Sequence, residues 1–600
     1  MLSYIMLFYA DNPNVITKIK RAEIEWNEEL KLRNESLVEL RLFGDEIVNE
    51  KILEDSFSSI PYFIVGALLM IVFVFITISH YHQQSILQTL FLTFWTTFCP
   101  LMAGLTALGI YAYCGTKITC AMFIAPLLVL GVGVDDGFLM MHNWFTSKEF
   151  DSFLRLRSML ITTGPSISLT SLTNFCAFLI GGYLSPPAVR SFCYCTALAI
   201  AFDWLFQMVV FVSALLKFHS FSFTLPHREH QGQKRAYARY CEWLRMGPTR
   251  YMLVALLVSY WIWSAYHTLQ MHERFSPDKT FDSKSQLAES LTWFDRAFND
   301  HEIFDIFVVD PPENSTLLLE HINTLHSLDY LCDNFTTWVR TYEQEYHPEP
   351  GPLQEYFEQL PTFIHKYPHL KFLVHFTLNG EGSVVIGNFT FDLCVHGHGT
   401  WDKRAYVHND IRKHLPKGFS LYNHDSELFD LILSTRRMLL QSCIVTFFCM
   451  VVLCIICIPS FRATSIATLS VISITAGTIG GLGAWGVDMD TVVMINVVMA
   501  IGLAVDYAAH ISYHYFKEGN SVNGIERMAA SVEAIAYAAA QAAMTTMLCA
   551  APLYFYPVYM FVTFAKTIFL CTLFGYIHAV IIIPLLLLLF HDSVVDVAGA

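Results

Sequence analysis

Four aspartates interrupt apolar sequence that otherwise runs unbroken: Asp135 and Asp136 within 118–145, Asp203 within 190–216, and Asp506 within 490–515. A carboxylate at the centre of a bilayer costs at least about 2.5 kcal/mol on insertion scales, so such residues face a bundle interior and serve ion or proton paths. Gly131 precedes Asp135 by one turn, and Gly502, Asp506 and His510 follow at four-residue steps on one helix face. Those glycines let a second helix, or water, come close to the acids. Two readings follow. In one, Asp135, Asp136 and Asp506 bind and release protons or a monovalent cation, supported by Gly131, Gly502, His510 and Asp203. In the other, the acids are protonated or paired with His, Ser or Thr and only lock helix packing. We adopt the first.

Other candidates carry less. Asp203 and Gln207, one turn apart, give the last helix of the first half a polar face. His142 and His514 read as polar contacts near helix ends, and Lys566 as an anchor whose long side chain reaches the interface. Cys454 and Cys457 form a CxxC inside an apolar span with no second pair or His nearby, which suits packing rather than metal binding. Glycines at 477–486 serve close helix approach. With no phosphate-binding loop, HExxH helix or GxSxG elbow, no catalytic residue, metal site or cofactor is assigned, and an enzyme is not expected.

The elements that must position these acids are membrane helices. Of 600 residues, 54% are hydrophobic and 15% charged, and the apolar ones are gathered in runs long enough to span a bilayer. The runs fall at 61–80, 90–113, 118–145, 163–184, 190–216, 249–268, 438–459, 463–486, 490–515, 534–556 and 560–590. Basic residues crowd 217–250, which places that linker on the cytoplasmic side and 269–437 outside. By the same counting 1–60 lies outside too, and the four glycosylation sequons, at Asn34, Asn314, Asn334 and Asn388, all fall in these two regions. Cys332 and Cys394 lie in the polar outer region and are a candidate disulfide if it is lumenal. A net charge of -15 argues against nucleic acid as a partner.

The chain also repeats itself. Residues 131–136 (GVGVDD) reappear as 502–507 (GLAVDY), with both the glycines and the first aspartates 371 positions apart. A short amphipathic piece, at 146–160 and again at 517–533, is expected after each motif. Counting spans, the two motif helices run in the same direction, so the repeats are parallel and related by an axis along the membrane normal.

The segments 131–136, 166–178 (SISLTSLTNFCAF), 191–207 (SFCYCTALAIAFDWLFQ), 494–510 (MINVVMAIGLAVDYAAH) and 575–584 (GYIHAVIIIP) together resemble the Patched-related branch of the resistance-nodulation-division superfamily, nematode members above all. The resemblance implies a polytopic α-helical membrane protein with a parallel 6+6 repeat, here about 5+6 spans, and an α+β porter-like outer domain. It further implies a sterol-sensing domain of five helices over 61–216, a cytoplasmic linker at 217–248, a helix at 249–268, an outer domain at 269–437, five helices over 438–590 and a cytoplasmic tail at 591–600. Residues 1–60 are expected to be the C-terminal remnant of a first outer domain, since the family pattern opens with a helix and a full domain. Its implied partners are membrane sterols or lipids, moved or sensed at the plasma membrane or in endosomal vesicles, with a part in moulting. Asp135, Asp136 and Asp506 match the family's cation or proton site. No protein partner is implied.

Overall fold

The computed structural model describes residues 12–32, 42–82, 85–116, 119–147, 149, 151–221, 231–275, 277–298, 301–332, 336–378, 384–397, 399–457, 461–517 and 524–589. In chain order come α1 (Pro13–Leu32), α2 (Asp45–Ser58), α3 (Ile60–His82), α4 (Ile86–Tyr113), α5 (Ile124–Thr146), α6 (Ser152–Leu184) and α7 (Pro187–Phe206). A π-helical turn (Gln207–Phe211), α8 (Val212–Phe221), α9 (Gln231–Arg245) and α10 (Gly247–Leu269) follow. Next are α11 (Gln286–Phe298), β1 (His301–Val308), α12 (Ser315–His326), α13 (Trp338–Tyr346), α14 (Leu353–Tyr356), α15 (Leu360–Lys366), β2 (Val374–Leu378), β3 (Val384–His396), α16 (Trp401–His414) and β4 (Phe419–Tyr422). The chain continues through α17 (Ser426–Cys457), α18 (Phe461–Ala484), α19 (Thr491–Lys517), α20 (Gly524–Ala550) and α21 (Tyr559–Ile577) to a second π-helical turn at His578–Ile582.

The elements fall into two compact units, the smaller made of Met1–Val48, Arg274–Asp278 and Lys284–Ser434. Among the described residues 11 helices are long and apolar enough to cross a bilayer, all of them wholly or mostly in the larger unit. Burial identifies which of them are central. In Ala121–Thr146 and Thr491–Tyr515, 78% and 94% of the apolar window is buried, against 17% in Gly247–Leu269. The two helices that carry the repeated acids are thus the most enclosed. Small residues permit this closeness: a Cβ on Gly181 of α6 would stand 2.6 Å from Val498 Cγ1 of α19. The Gly477–486 stretch works the same way, since a Cβ on Gly480 of α18 would stand 2.6 Å from Ser264 Cα of α10.

Several boundaries differ from the sequence expectation. Residues 152–160 are not a separate amphipathic piece but the first turns of α6, because Asp151 caps its start by accepting from Leu154 N at 3.3 Å. The second such piece is likewise divided: residues from Gly524 on belong to α20, and 518–523 lie outside the described residues. Within the expected linker 217–248, α9 packs on the membrane helices, with Cys241 and Leu244 fully buried and Tyr240 donating to Val580 O at 2.9 Å. Residues 49–58, expected in the outer remnant, and 279–283, expected in the outer domain, belong to the larger unit. There Asp282 N donates to Asp55 Oδ2 at 2.8 Å, and Lys279 Nζ lies 2.9 Å from Asp488 Oδ2.

The smaller unit is α+β. Its antiparallel sheet has the order β2-β3-β1-β4, and β1 alternates inward and outward residues as a half-buried strand should. One inward position is an acid, Glu302. It is held by Arg404 of α16 through two hydrogen bonds of 2.9 and 2.7 Å, and Arg404 also reaches Asp425 at 3.1 Å and lies over the Trp401 ring. A buried charge so paired is tolerated, whereas either partner alone would be costly.

Candidate functional site: crossed carboxylates in the membrane core

Asp506 sits on α19 and accepts from Asn174 Nδ2 of α6, with both carboxylate oxygens 3.0 Å away. Asp135 sits on α5 and accepts from Thr545 Oγ1 of α20 at 3.2 Å. Asn174 and Thr545 are themselves 371 positions apart, the spacing that relates Asp135 to Asp506. Each half therefore supplies an acid and the donor that holds the other half's acid. Two parallel repeats facing each other across their common axis would produce this crossing.

The glycines permit the crossing. A Cβ on Gly502 would collide with Asn174 Oδ1, so only glycine there lets α6 bring its amide to Asp506. Gly131 plays the matching part toward α20, where an added Cβ would lie 3.3 Å from Thr546 Cγ2. Asp135 and Asp506 are within electrostatic reach of each other, and Asp136, 6% exposed, interacts with Asp203, Asp506 and Asp135. His510 Nδ1 lies 2.7 Å from Ser166 Oγ of α6, the helix that also holds Asp506. Among the described residues none of these carboxyl groups has a basic partner, so few of them can be ionised at once. Carboxyl groups so placed have the chemistry to bind a proton or a small cation.

Asp203 lies one turn before the first π-helical turn, and Gln207 opens that turn, donating to Gly133 O of α5 at 2.8 Å. Sequence reasoning missed Asn174 and Thr545. The signal was present, because shifting the conspicuous Asn174 by 371 positions lands on a hydroxyl residue, yet Thr is too common in these helices to draw notice.

Elsewhere, Cys332 and Cys394 are joined as a disulfide in the smaller unit. Asn314 and Asn388 are exposed there, while Asn34 and Asn334 lie outside the described residues. Cys454 is buried within α17, and Lys566 is half-buried two turns into α21.

Residues 65–217 match the family profile described as "Patched: Patched SSD". The chain is 24% identical over 534 residues to Patched-related protein 9 of Caenorhabditis elegans, covering 83% of this chain and 62% of that relative. It is 25% identical over 214 residues to NPC intracellular cholesterol transporter 1 of Sus scrofa, covering 34% of this chain and 17% of that protein. Among solved structures, SecDF, a translocon-associated membrane protein from Thermus thermophilus, superposes with a TM-score of 0.53 at 13% identity, over 89% of this chain and 62% of that one. The fold is that of a multi-pass membrane protein of the resistance-nodulation-division type. Within that class the chain is similar to Patched-related proteins, and the sterol-sensing profile matches it over the first five spans. It spans about three fifths of the length of that Patched-related relative.

Proposed function

We propose that the chain moves sterols or related lipids within the membrane, driven by a proton gradient that acts through Asp135, Asp136 and Asp506. The observation that carries this reading is the crossed pair of hydrogen bonds, Asn174 to Asp506 and Thr545 to Asp135. A proton on either acid changes its bond to the opposite half, so protonation alters how the halves hold each other. The sterol class follows from the Patched-type sterol-sensing match and from the cholesterol transporter among the relatives. The test is sterol efflux from vesicles containing the purified chain, with an imposed proton gradient or an imposed sodium gradient. Flux that follows the proton gradient and falls at least tenfold in Asp506→Asn is expected. Equal flux in Asp135→Asn, Asp506→Asn and the unaltered chain would overturn the reading.

A second reading is sterol sensing without net transport, favoured by the position of the family match at residues 65–217. It expects sterol photolabelling within 61–216 together with no flux in any variant.

A further inference from the structure

Gln207 is fully buried and Asp203 is 2% exposed. Gln207 donates from its amide to the Gly133 carbonyl and its side chain also hydrogen-bonds Asp203, while its own Oε1 is buried without a hydrogen-bond partner. Asp203 Oδ1 is buried without one too. Both orphans are acceptors, and turning the Gln207 amide over would set two carbonyl oxygens against each other at Gly133. These two oxygens lack a donor hydrogen. The carboxylate lies directly over α5: a Cβ on Gly133 would be 2.6 Å from Asp203 Oδ1, from Oδ2 and from Pro100 Cβ. The titratable groups facing Asp203 are Asp136 from α5 and the Cys99 thiol from α4, and no ion pair joins it to a basic side chain among the described residues.

We propose that Asp203 and Gln207 form a second proton site, separate from the crossed pair and confined to the first half of the membrane unit. A proton on Asp203 Oδ1 removes a buried charge and supplies the O–H that Gln207 Oε1 accepts, satisfying both orphans at once. Its release leaves a carboxylate beside Asp136, which like charge opposes. The second half has no equivalent, because the positions 371 residues on are Phe574 and His578. The π-helical turn that begins at Gln207 sets its side chain toward α5, and such turns recur at functional sites.

Infrared difference spectroscopy of the full chain in lipid nanodiscs, titrated from acid to alkaline pH in H2O and in D2O, tests this directly. A protonated carboxylic C=O band that shifts in D2O, is missing from Asp203→Asn and persists in Asp506→Asn is expected. If Asp203→Asn removes no such band, the carboxylate is ionised throughout and the proposal is overturned; a band that answers to sodium at fixed pH overturns it as well. Gln207→Leu, which removes only the acceptor, should move the frequency of that one band and leave the others in place, keeping the test decisive if Asp203→Asn fails to fold. Sterol flux is not read here, so failure of the transport reading remains distinguishable from failure of this one.

Discussion

A methyl group at position 502 would take the place of Asn174 Oδ1. Gly502→Ala should therefore separate Asn174 from Asp506 and forfeit a hydrogen bond to a charged group, about 1.5–3 kcal/mol when that acid is ionised. Asn174→Ala should do the same by another route. Since both remove one interaction, the double variant should cost little more than either single one, as measured by gradient-driven flux in a double-mutant cycle. Additive losses would show that Gly502 serves some other contact. At this scale the acids were legible in the sequence, because charge in an apolar run is conspicuous. Their donors were not, since Asn174 and Thr545 lie 332 and 410 residues from the groups they hold.

Among the elements, β1 and β3 set Asp305 directly opposite Asp392. Like charges so placed disfavour pairing. Burial, and then Asp392, push the Asp305 carboxyl up to about 6. A carboxyl raised above its unfolded value stabilises the fold most below the unfolded value near 4 and loses that contribution as pH rises through about 6. His408 of α16 works in the opposite direction: burial, and then Arg412, push it down to about 4, so its contribution is present above about 6.5 and fades as pH falls. The two partly cancel in the native chain, so the informative quantity is a difference. Asp305→Asn should protect β1 and β3 amides from hydrogen exchange more than the unaltered chain at pH 7.5 and about equally at pH 4, a change on the order of 1–2 kcal/mol after solvent screening. In the same sheet, Cys332→Ser with Cys394→Ser should lower the stability of the smaller unit by about 4 kcal/mol, given a loop of 62 residues, read as faster exchange in β3. Spans were legible from apolar runs, because length alone decides whether a helix crosses a bilayer. The start of α6 was not, because its cap at Asp151 and its polar first turns look like a loop until the later turns are seen to continue them.

For the whole molecule, orientation follows from where sugar can be attached. Asn314 and Asn388 are both exposed on the smaller unit. Expressed in a eukaryotic secretory pathway, the chain should lose two endoglycosidase-sensitive mass increments in Asn314→Gln with Asn388→Gln; no change would set that unit on the cytoplasmic side and reverse the assignment. The parallel repeat was legible from one spacing of 371 residues, and the same spacing separates the starts of the two π-helical turns, Gln207 and His578. The crossed carboxylates also bear on how the protein is made. During synthesis Asp135 enters the membrane long before Thr545, 410 residues later, has been translated. Throughout that interval the translocation machinery must shelter an acid whose natural partner does not yet exist, and Asn174 waits likewise for Asp506. Only when α19 and α20 have arrived can both bonds form, so the polar core closes after the second repeat has been made.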